Sequence, residues 1–530
     1  MLDARELPEM CTPDPEEILI VGAGAVGLML AVDLAQTGAK VTLLEAGPAH
    51  VSAASQSYFT SARAVGRKME GLHAGRFRAL GGTTNFWGGQ LVRFSPNIFA
   101  QRSWMGPRAA WPIDRAMLDP YYDRVLDLAK MSAAACDDEV VRKRLAIEPP
   151  GDGALDYFFT RWTPETNFAR LFARQIRDLP NLKVIVGAPV VRLIGDSSGA
   201  SVLGAQAQDR SGRRIQVRAA ATVLANGTIE IARLLMLPFE DGRATVWADN
   251  PWLGRGFIDH IDCTAASVHV RDDRRFHNLF DNAILDGIKY QPKLRLNERA
   301  QENNGMVEVA CHFVFNSALS EQLANAKIFF KGLALGRLDG SVSEIPERLR
   351  TLIKVGGPMI ARYCRYRRLY APSDAGIQLR LTSEQHMMAE SRLRLARTTD
   401  GLGMPTVELG WKVRGDEIDT LAFFVAKVKA YLESMGIAEV RVDERLSAKD
   451  PAFLEMLDDA NHHMGLVRMS SDPGNGVVDK SLRVFGSENL YVAGAATFPS
   501  SGFANPTFTA IALGLRLSSF LRDRRHKWNS

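Results

Sequence analysis

The sequence predicts an α/β fold, α+β overall, in which one domain is interrupted along the chain by a second. Three observations carry this. Near the N-terminus a strand, a glycine-rich turn, a helix and another strand follow in close order between Ile18 and Glu45. Much later, Ala221-Thr222-Val223-Leu224-Ala225 reads as a strand entering Asn226-Gly227 and a helix, so the first unit resumes there. Near the end, Asn489-Leu490-Tyr491-Val492-Ala493-Gly494 reads as a strand returning to it. At 530 residues the chain is longer than one hydrophobic core usually grows, so two packed domains are expected.

The first unit is the most specific. Ile18-Leu19-Ile20-Val21 is a buried-strand run leading into Gly22-Ala23-Gly24-Ala25-Val26-Gly27. A helix then extends to about Thr37, stopped by Gly38, and Val41-Thr42-Leu43-Leu44-Glu45 is the next strand. Gly22 permits the tight turn, Gly24 lets the backbone approach a pyrophosphate, and Gly27 allows close helix–strand packing. Glu45, at the strand end, stands where a carboxylate accepts hydrogen bonds from a ribose. A glycine triplet alone is weak; in this strand–helix–strand setting it predicts a Rossmann-like dinucleotide site.

Residues 78–90, RALGGTTNFWGGQ, form a second glycine-rich segment with neither helical nor strand periodicity. It suits a loop lying along a pyrophosphate or a flat ring, or a purely structural omega loop. Helix and turns follow in WPIDRAMLDPYYDRVLDLAKM, and residues 182–225 return to strands. The middle, with strands such as TAASVHV and EVACHFVF and an amphipathic helical stretch around 317–355, reads as a different domain. The expected division is 15–100, 180–260 and 446–530 for the nucleotide domain, with 101–179 and 261–445 forming a substrate domain. A last helix, TFTAIALGLRLSSFL, begins at Thr507 with a buried apolar stripe.

Composition excludes several classes. A net charge of +5 over this length makes no case for nucleic acid. The basic cluster RYCRYRR at 362–368 reads as a solvated face or a few intramolecular ion pairs. Five scattered cysteines, with no CxxC, fit a reducing compartment better than a disulfide scaffold or a zinc site. The acidic leader has no apolar h-region and no apolar run is long enough to span a membrane, so the cytoplasm is expected, with export beside a partner subunit the alternative. Asp259 and His260 stand in no metal-ligand spacing, and no metal is expected.

Two residues stand out for chemistry. His462, in HHMGLVRM, is a candidate base, because a neutral imidazole with an ordinary pKa near ~6.5 can accept a proton at physiological pH. Asn505, in SSGFANPT, cannot act as a base but can hold a substrate oxygen. Each has a plainer reading: His462 as a satisfied core histidine, Asn505 as the N-cap of a helix with Pro506 at its first position. His463, one residue on, points the other way if the segment is extended, and is read as structural.

With these motifs in order (GAGAVG and Glu45, GGTTNFWGG, WPI at 111–113, NGTIEIARLL, HHMGLVRM, and VVDKSLRVFGSENLYVAGAATFPSSGFANPT) the chain resembles the glucose–methanol–choline (GMC) flavin oxidoreductases over nearly its full length. Within that family, NPTFTAIAL and HFVFNSALS resemble the bacterial sugar and glycoside dehydrogenases or oxidases. The resemblance implies FAD, a substrate domain built on an antiparallel sheet, and oxidation of an alcohol to an aldehyde or ketone with hydride transfer to flavin N5. It implies His462 as the base and Asn505 as the second active-site residue. It places FAD against Gly22, Gly24, Ala25, Gly27 and Glu45; against Gly81, Gly82, Thr83, Asn85, Trp87 and Gly88; and against Val190, Ala225, Gly494, Ala495, Asn505, Pro506 and Thr507.

Phe86 stands where some members carry a flavin-linked histidine, so FAD is expected to be held noncovalently. Leu466 replaces a frequent family threonine. Gln90, Arg93, Gln291, Lys293, Arg295, Glu384, Gln385 and His386 are candidate substrate contacts. The reduced flavin passes its electrons to O₂, a quinone or a redox protein, and a homo-oligomer or a small partner subunit is compatible. Competing readings are the same chemistry on a sterol or other apolar alcohol, a nicotinamide-dependent dehydrogenase, and a non-catalytic electron-transfer flavoprotein.

Overall fold

A computed structural model describes residues 1–4, 16–151, 153–209, 211–317, 346, 350, 360–371 and 373–525. The amphipathic stretch expected at 317–355 therefore lies almost wholly outside the described residues.

The N-terminal unit forms as its pattern requires. Strand Glu16–Val21, helix Ala25–Gln36 and strand Val41–Leu44 follow one another, and the two strands pair in parallel. Leu182–Val186 pairs in parallel beyond Val41–Leu44. On the other side lies Arg214–Leu224, longer than the strand expected at 221–225. Its first half closes an antiparallel hairpin with Val202–Gln208, while its second half runs parallel to both Glu16–Val21 and Leu490–Val492. One strand thus serves two pairings, and its polar N-terminal half hid the first from an apolar pattern. Helix Thr228–Leu235 follows it directly.

A second, antiparallel sheet is built around Leu155–Trp162, Ile288–Leu296, Val309–Phe315, Ile377–Ser383 and Ile261–Val270. Its side chains alternate, apart from an irregularity between Thr264 and Ala266. Tyr157 and Phe159, Tyr290 and Leu294, Cys311 and Phe313 face a hydrophobic core capped by helix Glu417–Ser434 through Leu421, Phe424, Val425 and Val428. The intervening residues face the opposite way, as the two-residue period of a strand demands. A smaller third sheet joins Met464–Leu466, Arg255–Ile258, Arg392–Thr399, Pro405–Trp411 and Arg63–Gly66. Sheet membership does not follow simple cuts along the chain: Gln90–Leu91 and Asp458–Asp459 both pair into the antiparallel sheet.

Helix Pro506–Arg524 is buried along most of its length. It is pinned in its first turn by Tyr122 Oη to Thr509 Oγ1 at 2.6 Å and farther along by Ser518 Oγ donating to Asp33 Oδ2 at 2.7 Å. These bonds fix where Asn505, the residue before it, must sit. No helix among the described residues is long and apolar enough to cross a membrane. Within the basic cluster Arg362 pairs with Asp281 at 3.1 Å and Arg368 donates to the Asp281 carbonyl, while Arg365 and Arg367 stay exposed.

Candidate active site

His462 and Asn505 meet: Asn505 Nδ2 lies 3.1 Å from His462 Nε2. Asn505 does occupy the N-cap position of helix Pro506–Arg524, yet its side chain makes no capping hydrogen bond. The backbone of His462 is held by Asp259, which is fully buried. A single oxygen, Asp259 Oδ1, accepts from the backbone N–H groups of His260 at 2.7 Å, Ala460 at 3.2 Å and His462 at 3.0 Å. The ring of His462 is held from its far side by His260, Nδ1 to Nδ1 at 2.9 Å. The family-like loop at 259–260 therefore grips the histidine rather than standing apart from it.

Burial, then the nearby Lys293 charge, push His462 down to about 4. Burial and the charge of Arg76 push His463 down to about 3. His260 is held well below its ordinary value by burial and by the ring of His462. At physiological pH the imidazole of His462 is neutral, with a lone pair to offer.

Beside His462 and Asn505 lies a cavity of about 200 Å³. Its polar lining is Gln90, Thr160, Asp262, Gln291, Lys293, His312 and Thr382, and its apolar lining includes Val92, Phe158 and Phe503. These polar residues are the alternates of the core-facing ones, brought side by side by strand register: Thr160 opposite Gln291, and Asp262 opposite Thr382. Asp262 is neutralised by Arg380 at 3.1 Å. Among the described residues Lys293 Nζ has one acceptor, Gln90 Oε1, at a long 3.5 Å, and burial pushes its ammonium down to about 8.

Of the residues expected to touch a substrate, Gln90, Gln291 and Lys293 line this cavity and the rest do not. Glu384 is locked to Arg102 by two bonds of 2.6 and 2.7 Å. Gln385 accepts from Trp411 Nε1 at 2.6 Å, and the backbone of His386 donates to Glu417 at 2.9 Å. Arg93 pairs with Asp123, and Arg295 reaches Ser95 at 3.3 Å. Asp262, His312, Thr160 and Thr382 were not anticipated. Their signal was a polar residue alternating with apolar ones inside a strand, as in Cys311-His312-Phe313.

At the nucleotide end the three glycines divide their work. A Cβ on Gly22, whose φ is 100°, would stand 2.5 Å from Asn226 Cα, and one on Gly27 would stand 1.9 Å from the Gly22 carbonyl oxygen. A Cβ on Gly24 would meet nothing within 4 Å, and Gly24 caps helix Ala25–Gln36. That open helix N-terminus suits a phosphate group. The second glycine loop seats on the first: Gly81 N donates to the Ala23 carbonyl at 2.9 Å, and a Gly82 Cβ would stand 2.8 Å from Gly24 Cα. Gly494, with φ 133° and nothing within 4 Å of its Cβ position, leaves a second open backbone turn before the Ala495–Thr497 turn. Ala225 closes the turn from beneath, its N–H bonded to the Val21 carbonyl at 2.8 Å.

Glu45 accepts from Ala23 N at 2.9 Å and Gly47 N at 2.8 Å, one bond to each oxygen, which leaves lone pairs for a ribose. Burial, opposed by those two bonds, pushes it up to about 7. Asn85 and Trp87 spend their side chains locally, Asn85 on the Leu80 and Gly82 carbonyls and Trp87 on Thr166, so this loop offers a cofactor mainly backbone. Thr83 and Gly88 are exposed, and Val190 begins strand Val190–Gly195. Phe86 is exposed and stacks on Phe77 at 5.3 Å. Open glycine positions, a helix N-terminus and an acid at the neighbouring strand end together fit a dinucleotide such as FAD.

Comparison with known proteins agrees. Residues 17–279 match the family described as FAD dependent oxidoreductase, and residues 388–514 match the one described as GMC oxidoreductase. The chain is 20% identical over 576 residues to 2-methyl-1,2-propanediol dehydrogenase of Mycolicibacterium austroafricanum, covering 96% of each. It is 22% identical over 574 residues to the fructose dehydrogenase large subunit of Gluconobacter japonicus, covering 94% of this chain and 96% of that one. Its fold is similar to that of formate oxidase from Aspergillus oryzae, with a TM-score of 0.57 at 16% identity over 97% of this chain and 99% of the other.

Proposed function

From a chain that belongs to the GMC oxidoreductases and is an FAD-dependent enzyme acting on CH–OH donors, we propose oxidation of a sugar or glycoside hydroxyl to the carbonyl, with His462 as the base. The observation that carries this is the cavity itself: about 200 Å³, with seven polar side chains beside His462 and Asn505. A sterol, with four fused apolar rings, needs a larger and greasier space. The likeness to a fructose dehydrogenase subunit adds support.

FAD, when bound, supplies the hydride acceptor. The chain does the rest. Gly24 at its helix N-terminus and Glu45 hold the pyrophosphate and ribose. His462 Nε2 takes the hydroxyl proton, and a positioned base contributes roughly 10²–10⁴-fold. Asn505 holds the substrate oxygen in line through its amide. Thr160, Gln291, Lys293, Asp262, His312 and Thr382 pair with the remaining hydroxyls, and a site with such groups penalises a substrate lacking them by about 10⁴–10⁵. Reoxidation falls to O₂, or to an external quinone or redox protein.

The test is anaerobic stopped-flow bleaching of the flavin with monosaccharides, glycosides and sterols. Sugars should reduce the flavin rapidly and sterols should leave it oxidised. Rapid reduction by cholesterol with the sugars inert would overturn the reading. Following reoxidation by O₂, a quinone and a one-electron dye then identifies the acceptor.

A further inference from the structure

Outside the substrate cavity, but against the same histidine segment, a second cluster of side chains converges. Among the described residues Asp259, Asp459 and His463 bring ligand-type atoms within 4.8 Å of one another. Asn461 joins them. An ideal Cβ on Gly71 would stand 2.4 Å from Asp459 Oδ2, 2.7 Å from Asn461 Oδ1 and 3.0 Å from His463 Nε2. These three atoms thus gather on one side of the Gly71 backbone, closer than a side chain at that position would allow.

One of these atoms, and one more beside it, are buried and unsatisfied among the described residues. Asp259 Oδ2 and His463 Nε2 stand 3.9 Å apart, on side chains 0% and 9% exposed, and neither has a hydrogen-bond partner. A buried acceptor left bare is costly, and two facing each other need a shared partner. Backbone donors reach both carboxylates, yet burial and the charge of Asp459 hold the Asp259 carboxyl well above its ordinary range. Asp459 accepts from Glu70 N and Gly71 N at 2.8 Å each, and Asp259 Oδ1 takes three N–H groups. Among the described residues neither carboxylate pairs with lysine or arginine. The nearby cations are committed elsewhere: Arg76 to Glu230 at 3.1 Å, and Lys68 to Glu70 at 2.7 Å.

We propose that Asp259, Asp459, Asn461 and His463 bind one divalent cation of the oxygen-preferring class, Ca²⁺ or Mn²⁺. Three oxygen ligands with one imidazole suit these ions better than thiolate-seeking metals. The ion ties the 459–463 segment to the Gly71 turn and to Asp259, the carboxylate whose other oxygen holds the His462 backbone. Its role is to fix the position of the base. The linear spacing gave no metal set because Asp259 comes from a distant strand end, some two hundred residues before Asp459 and His463.

Chelator-treated, FAD-loaded protein titrated with Mn²⁺ and followed by electron paramagnetic resonance tests this. Wild type should take up one Mn²⁺ per chain and gain several degrees in Tm. Asp459→Asn should lose both effects, while Asp458→Asn, its exposed neighbour, should keep them. Should Asp459→Asn fail to retain FAD, the exposed Asn461→Leu substitution replaces it, with Mn²⁺ affinity reduced about tenfold or more. No stoichiometric uptake by wild type, or equal uptake by these variants, would overturn the site.

Discussion

His260 and His462 share one hydrogen bond between their Nδ1 atoms, at 2.9 Å. Two neutral rings can do this only if one donates and the other accepts. The carbonyls of Ser501 and Gly502 lie beside the His260 ring and favour a proton on it, although its Nε2 closes no bond of good geometry. With that proton on Nε2, His260 Nδ1 accepts, His462 Nδ1 donates, and His462 Nε2 is left as the basic atom facing Asn505.

This tautomer argument predicts a rescue. His260→Ala should slow flavin reduction by substrate at least about tenfold. His260→Asn, whose side-chain oxygen can stand near the lost Nδ1, should recover most of it. Stopped-flow rates for both variants at equal FAD content decide the matter. Equal loss in both would mean that His260 only fills space.

Replacing His462 with Ala should leave FAD bound and lower the rate of flavin reduction by roughly 10²–10⁴. The flavin spectrum checks the first half and anaerobic kinetics the second. An unchanged reduction rate removes His462 as the base.

Asn505→Ala separates two roles of one residue. Its amide contacts His462 and caps nothing, so Tm should hold nearly constant while the limiting reduction rate falls. A Tm loss of the size of a lost cap, about 1 kcal/mol, with kinetics intact would favour helix capping instead.

Lys293 supplies a pH dependence. Its ammonium is pushed down to about 8, so the charge is present below that pH and is lost as pH rises through it. The KM for sugar should therefore rise between about pH 7 and pH 9, and Lys293→Met should abolish that limb. A wild-type KM that stays flat across this window would show that Lys293 does not read the substrate.

Much of the site was legible in the linear chain. Gly22 and Gly27 announce themselves because a side chain at either would strike backbone, and Gly24 because it leaves the helix N-terminus open. His462 and Asn505 were legible because the residues around them are distinctive. The cavity wall was half legible: Gln90, Gln291 and Lys293 belong to it, whereas Glu384 looked available until Arg102 was found locked to it. A charged residue in a strand reads the same whether it faces a ligand or a buried ion partner.

The amino-acid order by itself determined the nucleotide unit with its interruption and return, since these rest on local geometry and spacing, and it named His462 and Asn505 through the family resemblance of the motifs that hold them. Only the tertiary structure decided that Asn505 turns to His462 rather than to its own helix, that His260 orients the imidazole, and that Asp259 and Asp459 converge beside Gly71. Those outcomes depend on which strands become neighbours and in what register, and long-range pairing leaves no local mark on the chain.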